Sequence, residues 1–325
     1  MAAWTLRGRL HALRTRLERF ARPREPEAFP VELHRRRIYV LPTRFGLFFG
    51  VLLVAMGVGA LNYNNNPALL LMLMLAGAAQ TSLLGAHLQL SGLRFVAIGG
   101  DPVPAGTPIQ VRLHARAATR GRARRGLHVD CDAADGWLTL EDGVGDATLA
   151  LPTQQRGWLD VPRLRVSTTR PLGLVRAWSW IWPEQPLLVY PAPEADGPPL
   201  PDGEGETAAA RLHPLGDDVH HLRAYRRGDS PRMIAWKPTA RLGNLLVREY
   251  ERPQSADIVL DWSKLHGLDT ESRIRRLARW VDEAERDARR YRLLVPGHPP
   301  IGPAHGPAHR HACLRALALL PGGAR

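Results

Sequence analysis

The sequence predicts a membrane-anchored α+β protein with a two-helix transmembrane hairpin, a β-sandwich and a final α/β region. Three observations carry that reading. Two uncharged apolar runs lie at 45–61 and 68–86, about seven short alternating segments follow between 88 and 190, and a strand–helix–strand–helix order closes the chain. The 325 residues leave room for a membrane element and two modest soluble domains.

The apolar runs are FGLFFGVLLVAMGVGAL, from Phe45 to Leu61, and ALLLMLMLAGAAQTSLLGA, from Ala68 to Ala86. As helices they would span roughly 26 and 28 Å, close to the ~30 Å hydrocarbon core of a bilayer. The turn between them, Asn62-Tyr63-Asn64-Asn65-Asn66-Pro67, is polar and uncharged. Residues 1–44 hold eleven arginines against four glutamates, and His87 and Arg94 follow the second run. The positive-inside rule then places both ends in the cytoplasm of a two-pass inner-membrane protein. A secretory signal is the competing reading, and it fails because the first run begins near residue 45 and a second follows at once. A buried helical hairpin of a soluble protein is the other alternative; the bilayer-matched lengths weigh against it. Gly46 and Gly50 form a GxxxG step that would allow close helix packing.

The net charge of +13 is carried almost wholly by arginine, which with abundant alanine hints at a GC-rich bacterial genome. Within 1–44, the segment ahead of the hairpin, Leu6, Leu10, Leu13, Leu17 and Phe20 form one apolar stripe, with Arg7, Arg9, Arg14, Arg16 and Arg19 over much of the rest. Such a basic amphipathic helix suits an anionic lipid surface, while a frayed or protein-packed helix is the alternative. Much of the positive charge is thereby explained by the membrane, without nucleic acid. Two cysteines, Cys131 and Cys313, offer no disulfide framework and fit a reducing compartment.

Beyond the hairpin the period changes from helical to alternating. Strands are predicted at Leu88–Val96, Ile109–His114, Leu127–Asp132, Ala147–Leu151, Trp158–Ser167, Val175–Trp182 and Leu187–Tyr190. About seven strands in a hundred residues predict an immunoglobulin-like sandwich over 88–190, with Trp137, Trp158, Trp178, Trp180 and Trp182 filling and rimming its core. Residues 191–212 are rich in proline, glycine and acids, and read as a linker or mobile loop.

The region 213–325 carries the most specific text, RAYRRGDSPRMIAWKPTARLGNLLVREYE from Arg223. Gly228-Asp229-Ser230-Pro231 reads as a turn capping a short helix that Pro238 limits, and Leu245–Tyr250 alternates as a strand. Arg223, Tyr225, Gly228, Asp229, Ser230, Arg232, Ile234, Trp236, Lys237, Ala240, Arg241, Gly243, Leu246, Val247 and Glu249 together resemble the DUF58 family. Arg170-Pro171-Leu172-Gly173-Leu174 and the apolar hairpin are similar to it too. The resemblance implies a membrane tether, a C-terminal portion like a von Willebrand factor A domain, here truncated, and association with MoxR-type AAA+ ATPases and transglutaminase-like proteins. It implies no particular chemistry.

The residues can be held against that likeness. Ala256–Asp261 reads as a buried strand, Thr270–Tyr291 as an amphipathic helix, Arg292–Val295 as a second strand and Ala308–Leu320 as a second helix, the order of a parallel α/β sheet. A von Willebrand metal site needs Asp-x-Ser-x-Ser, whereas this chain has Asp261-Trp262-Ser263-Lys264-Leu265. Asp261 and Ser263 give at most two oxygen ligands, short of what Mg²⁺ takes, so no metal or other cofactor is expected. His298, His305, His309 and His311 cluster as well, but with no carboxylate in 296–325 they read as loop histidines rather than zinc ligands.

Asp217, Asp218, His220 and His221 leave an acid–base pair open, yet no nucleophile elbow, phosphate loop or HExxH appears. The basic patch of Arg223, Arg226, Arg227, Arg232, Lys237, Arg241 and Arg248 has four readings: nucleic-acid binding, pairs with Asp229, Glu249 and Glu251, anionic lipid, or a protein-docking surface. Tyr225 and Trp236 are expected in the core. The leading expectation is a non-enzymatic scaffold that docks a partner, by resemblance a MoxR-type ATPase, through Arg223, Tyr225, Arg226, Gly228, Asp229, Arg232, Trp236, Lys237, Arg241 and Glu249. A metal-dependent module at Asp261 and Ser263 is the second, and lipid or nucleic-acid binding through 223–248 the third.

Overall fold

A computed structural model describes residues 22–117, 124–201, 211–212, 218–224, 235–236, 245–252 and 257–321. The chain divides into two units, residues 1–189 and 190–323. The predicted amphipathic helix of the first twenty-odd residues lies almost wholly outside the described residues.

The first unit starts earlier than the sequence reading placed it. Strands β1 (Val31–Leu33) and β2 (Tyr39–Pro42) precede the hairpin. Then come helices α1 (Arg44–Asn62) and α2 (Asn66–Leu90), both long and apolar enough to cross a membrane and with few of their residues buried. Thr43 Oγ1 caps α1 by accepting from Gly46 N at 3.0 Å, and Asn65 Oδ1 caps α2 by accepting from Ala68 N at 3.1 Å. Pro67 sits in the first turn of α2, where a missing N–H costs nothing.

Ten strands follow: β3 (Leu93–Gly99), β4 (Val103–Pro104), β5 (Ile109–Ala117), β6 (Arg124–Asp130), β7 (Asp135–Leu140), β8 (Val144–Leu151), β9 (Gly157–Leu159), β10 (Leu164–Thr168), β11 (Val175–Ile181) and β12 (Leu187–Tyr190). They form sheets of order β1-β3-β5-β8, β2-β11-β10-β6-β7 and β4-β12-β9. The first two draw on a common apolar core. Along β5 it takes Ile109, Val111, Leu113 and Ala115, every second residue, and from the other sheet Leu127, Val129, Leu164 and Val166.

Several expectations are corrected. Leu88 to Leu90 belong to the last turn of α2, so β3 starts only at Leu93. The run Trp158–Ser167 divides into β9 and β10, and β7 forms where no strand was predicted. Trp178 and Trp180 are buried, but Trp137 and Trp158 are 63% and 45% exposed. Trp137 instead lies across the His128 ring, 4.8 Å between centroids.

In the second unit β13 (Arg211–Leu212), β14 (Asp218–Ala224) and β15 (Leu246–Arg252) form an antiparallel sheet of order β13-β15-β14. The C-terminal part runs β16 (Ile258–Asp261), α3 (Thr270–Arg286), β17 (Tyr291–Leu294), β18 (Ile301–Ala304) and α4 (Pro307–Leu319). β16 and β17 pair in parallel, as the alternating order predicts, and α3 buries Ile274, Leu277, Ala278, Val281 and Ala284. β18, absent from the sequence reading, adds an antiparallel edge. The helix stops at Arg286 rather than Tyr291, because Ala288 turns to a φ of 52° and Tyr291 opens β17.

The stretch after Tyr190 is not a free linker where it is described. Glu194 accepts from Arg276 Nε and Nη2 at 2.9 and 3.1 Å, and Trp280 Nε1 donates to the Pro198 carbonyl at 3.1 Å. Those bonds lay residues 194–198 along α3. They also hold the Glu194 carboxyl below its usual range, chiefly through the Arg276 hydrogen bond.

Candidate functional site

The best-defined site is the joint between the hairpin and its β unit. The turn Arg170–Leu174, between β10 and β11, meets the foot of both helices. Thr43 N donates to the Leu174 carbonyl at 2.9 Å, and Thr43 Oγ1 donates to Gly173 O at 2.6 Å. A Cβ built on Gly46 of α1 would stand 1.8 Å from Leu174 O, and one on Gly85 of α2 would stand 3.2 Å from Pro171 Cδ. Gly46 therefore admits a backbone approach that no other residue allows. Its predicted partner in a GxxxG helix contact, Gly50, has nothing within 4 Å of an added Cβ. What the motif serves here is contact with the turn, not a helix–helix seam.

The second helix is fixed further at this same C-terminal end. Ser82, Ala86 and Leu90 are buried on one face of α2, so its last turns rest on the β unit while Leu83 and Leu84 stay exposed. Arg124 is 3% exposed and donates to the Gln89 and Ser91 carbonyls at 3.1 and 2.9 Å. A guanidinium there satisfies terminal carbonyls and opposes the negative end of the helix dipole.

Ahead of the hairpin, residues 22–27 are bound to the same unit. Glu27 N donates to Trp182 O at 2.7 Å, and Arg37 pairs with the Glu27 carboxylate through both terminal nitrogens. Arg163 Nε donates to Pro23 O, and the Arg22 guanidinium lies 4.8 Å from the Trp180 ring centroid. This anchorage supports the short strands that precede the apolar hairpin.

Of the residues singled out in 223–249, Arg223 lies on β14 opposite Val247, and Glu249 lies on β15 opposite His221. The predicted strand at 245–250 is β15, at 246–252. Tyr225, Arg226, Gly228, Asp229, Arg232, Lys237 and Arg241 lie outside the described residues. Trp236, expected in the core, is 63% exposed.

Asp261 ends β16 and caps the turn Trp262–Lys264. Its Oδ1 accepts from Ser263 N at 2.8 Å and from Ser263 Oγ at 2.7 Å. The Ser263 hydroxyl is thus directed at one oxygen of the Asp261 carboxylate. Among the described residues no three His, Cys, Asp or Glu side chains gather as a metal set. His309 and His311 are helical rather than loop residues: both lie on α4, two positions apart and so on different faces. His309 Nε2 bonds the Tyr291 carbonyl at 3.0 Å, while His311 Nδ1 meets Tyr190 Oη at 2.6 Å.

His309 also approaches Cys313 Sγ at 3.7 Å, and Glu285 binds Gly306 N at 3.0 Å and Tyr291 Oη at 3.4 Å. Cysteine, histidine and glutamate are together, but the thiol is fully buried and burial pushes it up to about 12. It is protonated at neutral pH and out of reach, the reverse of an activated nucleophile. Desolvation raises the neighbouring Tyr291 hydroxyl too. This is packing that fastens α4 to β17.

No family model, curated protein or solved structure matches this chain.

Proposed function

We propose that the chain is a membrane-anchored scaffold, facing the bacterial cytoplasm, that docks a protein partner and carries out no chemistry of its own. The observation that carries this reading is the joint. Both ends of the hairpin are built into one β unit, β2 leading in and β3 leading out, so the Asn62–Asn66 turn alone is on the far side. The excess of arginine around the hairpin feet supports a cytoplasmic location for that common side. A short turn fixed to glycines holds the β unit at a set angle to the hairpin, as a platform requires and a loose tether does not.

The finer fold assignments belong to the same reading: an immunoglobulin-like arrangement for the first two sheets, and a truncated von Willebrand A-like unit for β16 to α4. The DUF58-like text around β14 and β15 supports a MoxR-type AAA+ ATPase as the partner. Asp261 Oδ1 is engaged by Ser263 in capping a turn and Cys313 is buried, which favours structural roles for both.

The test is co-purification of the full-length, detergent-solubilised protein with a MoxR-type ATPase from the same genome. Arg226→Glu with Arg232→Glu should weaken retention, compared in protein whose melting temperature matches the parent. Equal retention by the double variant would remove this surface, and absence of any binding by the parent protein would remove the partner.

A further inference from the structure

Helix geometry sets the depth of the Arg170–Leu174 turn. Gly46 lies sixteen residues from Asn62 along α1, and Gly85 lies nineteen from Asn66 along α2. At 1.5 Å per residue the turn is roughly 24–28 Å from the tip of the hairpin, which puts it at the near edge of a ~30 Å hydrocarbon core, on the side of the hairpin feet. Leu172 on the turn is 52% exposed, and Phe45 and Phe48, which flank Gly46 in sequence on α1, are exposed too.

Cations surround this turn. Arg44 follows the Thr43 that bonds the turn, and is exposed. Arg170 stands on the turn itself. Its side chain lies over Gly126 of β6, where a Cβ would meet Nε at 2.5 Å, and Gly126 has a φ of 69°. Arg125, next to it, is exposed. The strand registers place Pro42 with Val175 and Arg124 with Leu140 at this same end of the sheet. The acids there, Glu141 and Asp142, follow β7, at the sheet edge opposite β2.

We propose that the Arg170–Leu174 turn is an interfacial seat for anionic phospholipid, Leu172 entering the acyl region while Arg44, Arg125 and Arg170 hold lipid phosphate. An exposed apolar side chain at the hydrocarbon edge with exposed arginines on the elements that meet there suits an acyl chain and an anionic headgroup. Arginine donates in a fork to phosphate and is drawn to an anionic leaflet. The proposal rests on the hairpin's crossing a bilayer.

The test uses full-length protein carrying Cys131→Ser, since Cys313 is buried, labelled with a fluorophore at Leu172→Cys or, as a depth control, Val54→Cys. Both are placed in phosphatidylcholine–phosphatidylglycerol nanodiscs with brominated acyl chains. Quenching at both positions is the expected result. Quenching at Val54 with Leu172 reached only by aqueous iodide would overturn the seat and leave the hairpin standing. Quenching at neither would overturn both.

The second arm counts phosphatidylglycerol and phosphatidylcholine retained on the extracted protein by native mass spectrometry. Replacing Arg44, Arg125 and Arg170 by glutamine should erode the phosphatidylglycerol preference by about fivefold per arginine. The matching lysine triple variant should keep most of it, which separates charge from packing. An unchanged preference in the glutamine variant would overturn the phosphate role.

Discussion

Replacing Gly46 by alanine tests the joint at its tightest point. The new methyl would stand 1.8 Å from the Leu174 carbonyl oxygen, so helix or turn must move by more than an ångström. That displacement strains the packing, by about 1–3 kcal/mol for an overfilled site. It also pulls Thr43 away from the Gly173 and Leu174 carbonyls, which bond it at 2.6 and 2.9 Å. Each such bond is worth about 0.5–1.5 kcal/mol net. Against this, alanine recovers about 0.5–1 kcal/mol of helix propensity over glycine. The balance is a loss of about 2–4 kcal/mol, or roughly 5–10 °C in melting temperature for a unit of this size.

The comparison that decides is Gly50→Ala. Nothing lies within 4 Å of that methyl, so the variant should melt at the parent temperature or slightly above. Tryptophan fluorescence in detergent reads both variants, because Trp178 and Trp180 are buried in the β unit. Were the two glycines a helix–helix seam, both variants would lose stability alike. Equal losses would refute the assignment of Gly46 to the turn.

Three further outcomes follow from the same geometry. Arg124→Met keeps the stem but strips the carbonyls of Gln89 and Ser91 of their donor, at about 2–4 kcal/mol; hydrogen exchange should accelerate at 87–92 before the rest of α2. Glu194 is depressed by its bond to Arg276, so its contribution is full above the ordinary glutamate pKa of about 4.3 and is lost as pH falls through the lower folded value. The protection factor of the Glu194 amide, which donates to the Arg275 carbonyl, should therefore fall on acidification, and Glu194→Gln should show the lowered protection factor at every pH. Cys313, with its thiol near 12 and no exposed surface, should resist iodoacetamide at neutral pH, whereas Cys131 reacts; labelling of both at equal rates in the folded protein would contradict the packing of α4.

What the sequence made legible depends on how far each signal extends. Uncharged runs of seventeen and nineteen residues announce two helices without any tertiary information, and the 3.6-residue period of α3 is equally plain. β1 and β2 are three and four residues long and flank Arg35-Arg36-Arg37, so charge hides an alternation too brief to register. They form only because β3 and β11 supply their partners from across the hairpin. The chain runs into the β unit, leaves it for the two apolar helices and returns, which a reading in segments divides into a tail, an anchor and a domain. Gly46 misled for a related reason: an i, i+4 glycine pair looks the same whether its open face meets a helix or a turn 128 residues downstream. The Arg170–Leu174 turn stood out by its text and α1 by its composition, but their juxtaposition is a long-range fact. It follows that the anchor cannot be cut away cleanly. Removing 45–86 would expose the core at Leu93 and leave β2 to be held by β11 alone, so a soluble fragment should begin at β1 and bridge Pro42 to Leu93 with a short linker. If a fragment starting at residue 88 is as stable as that bridged form, the two N-terminal strands are dispensable and the joint loses its structural role.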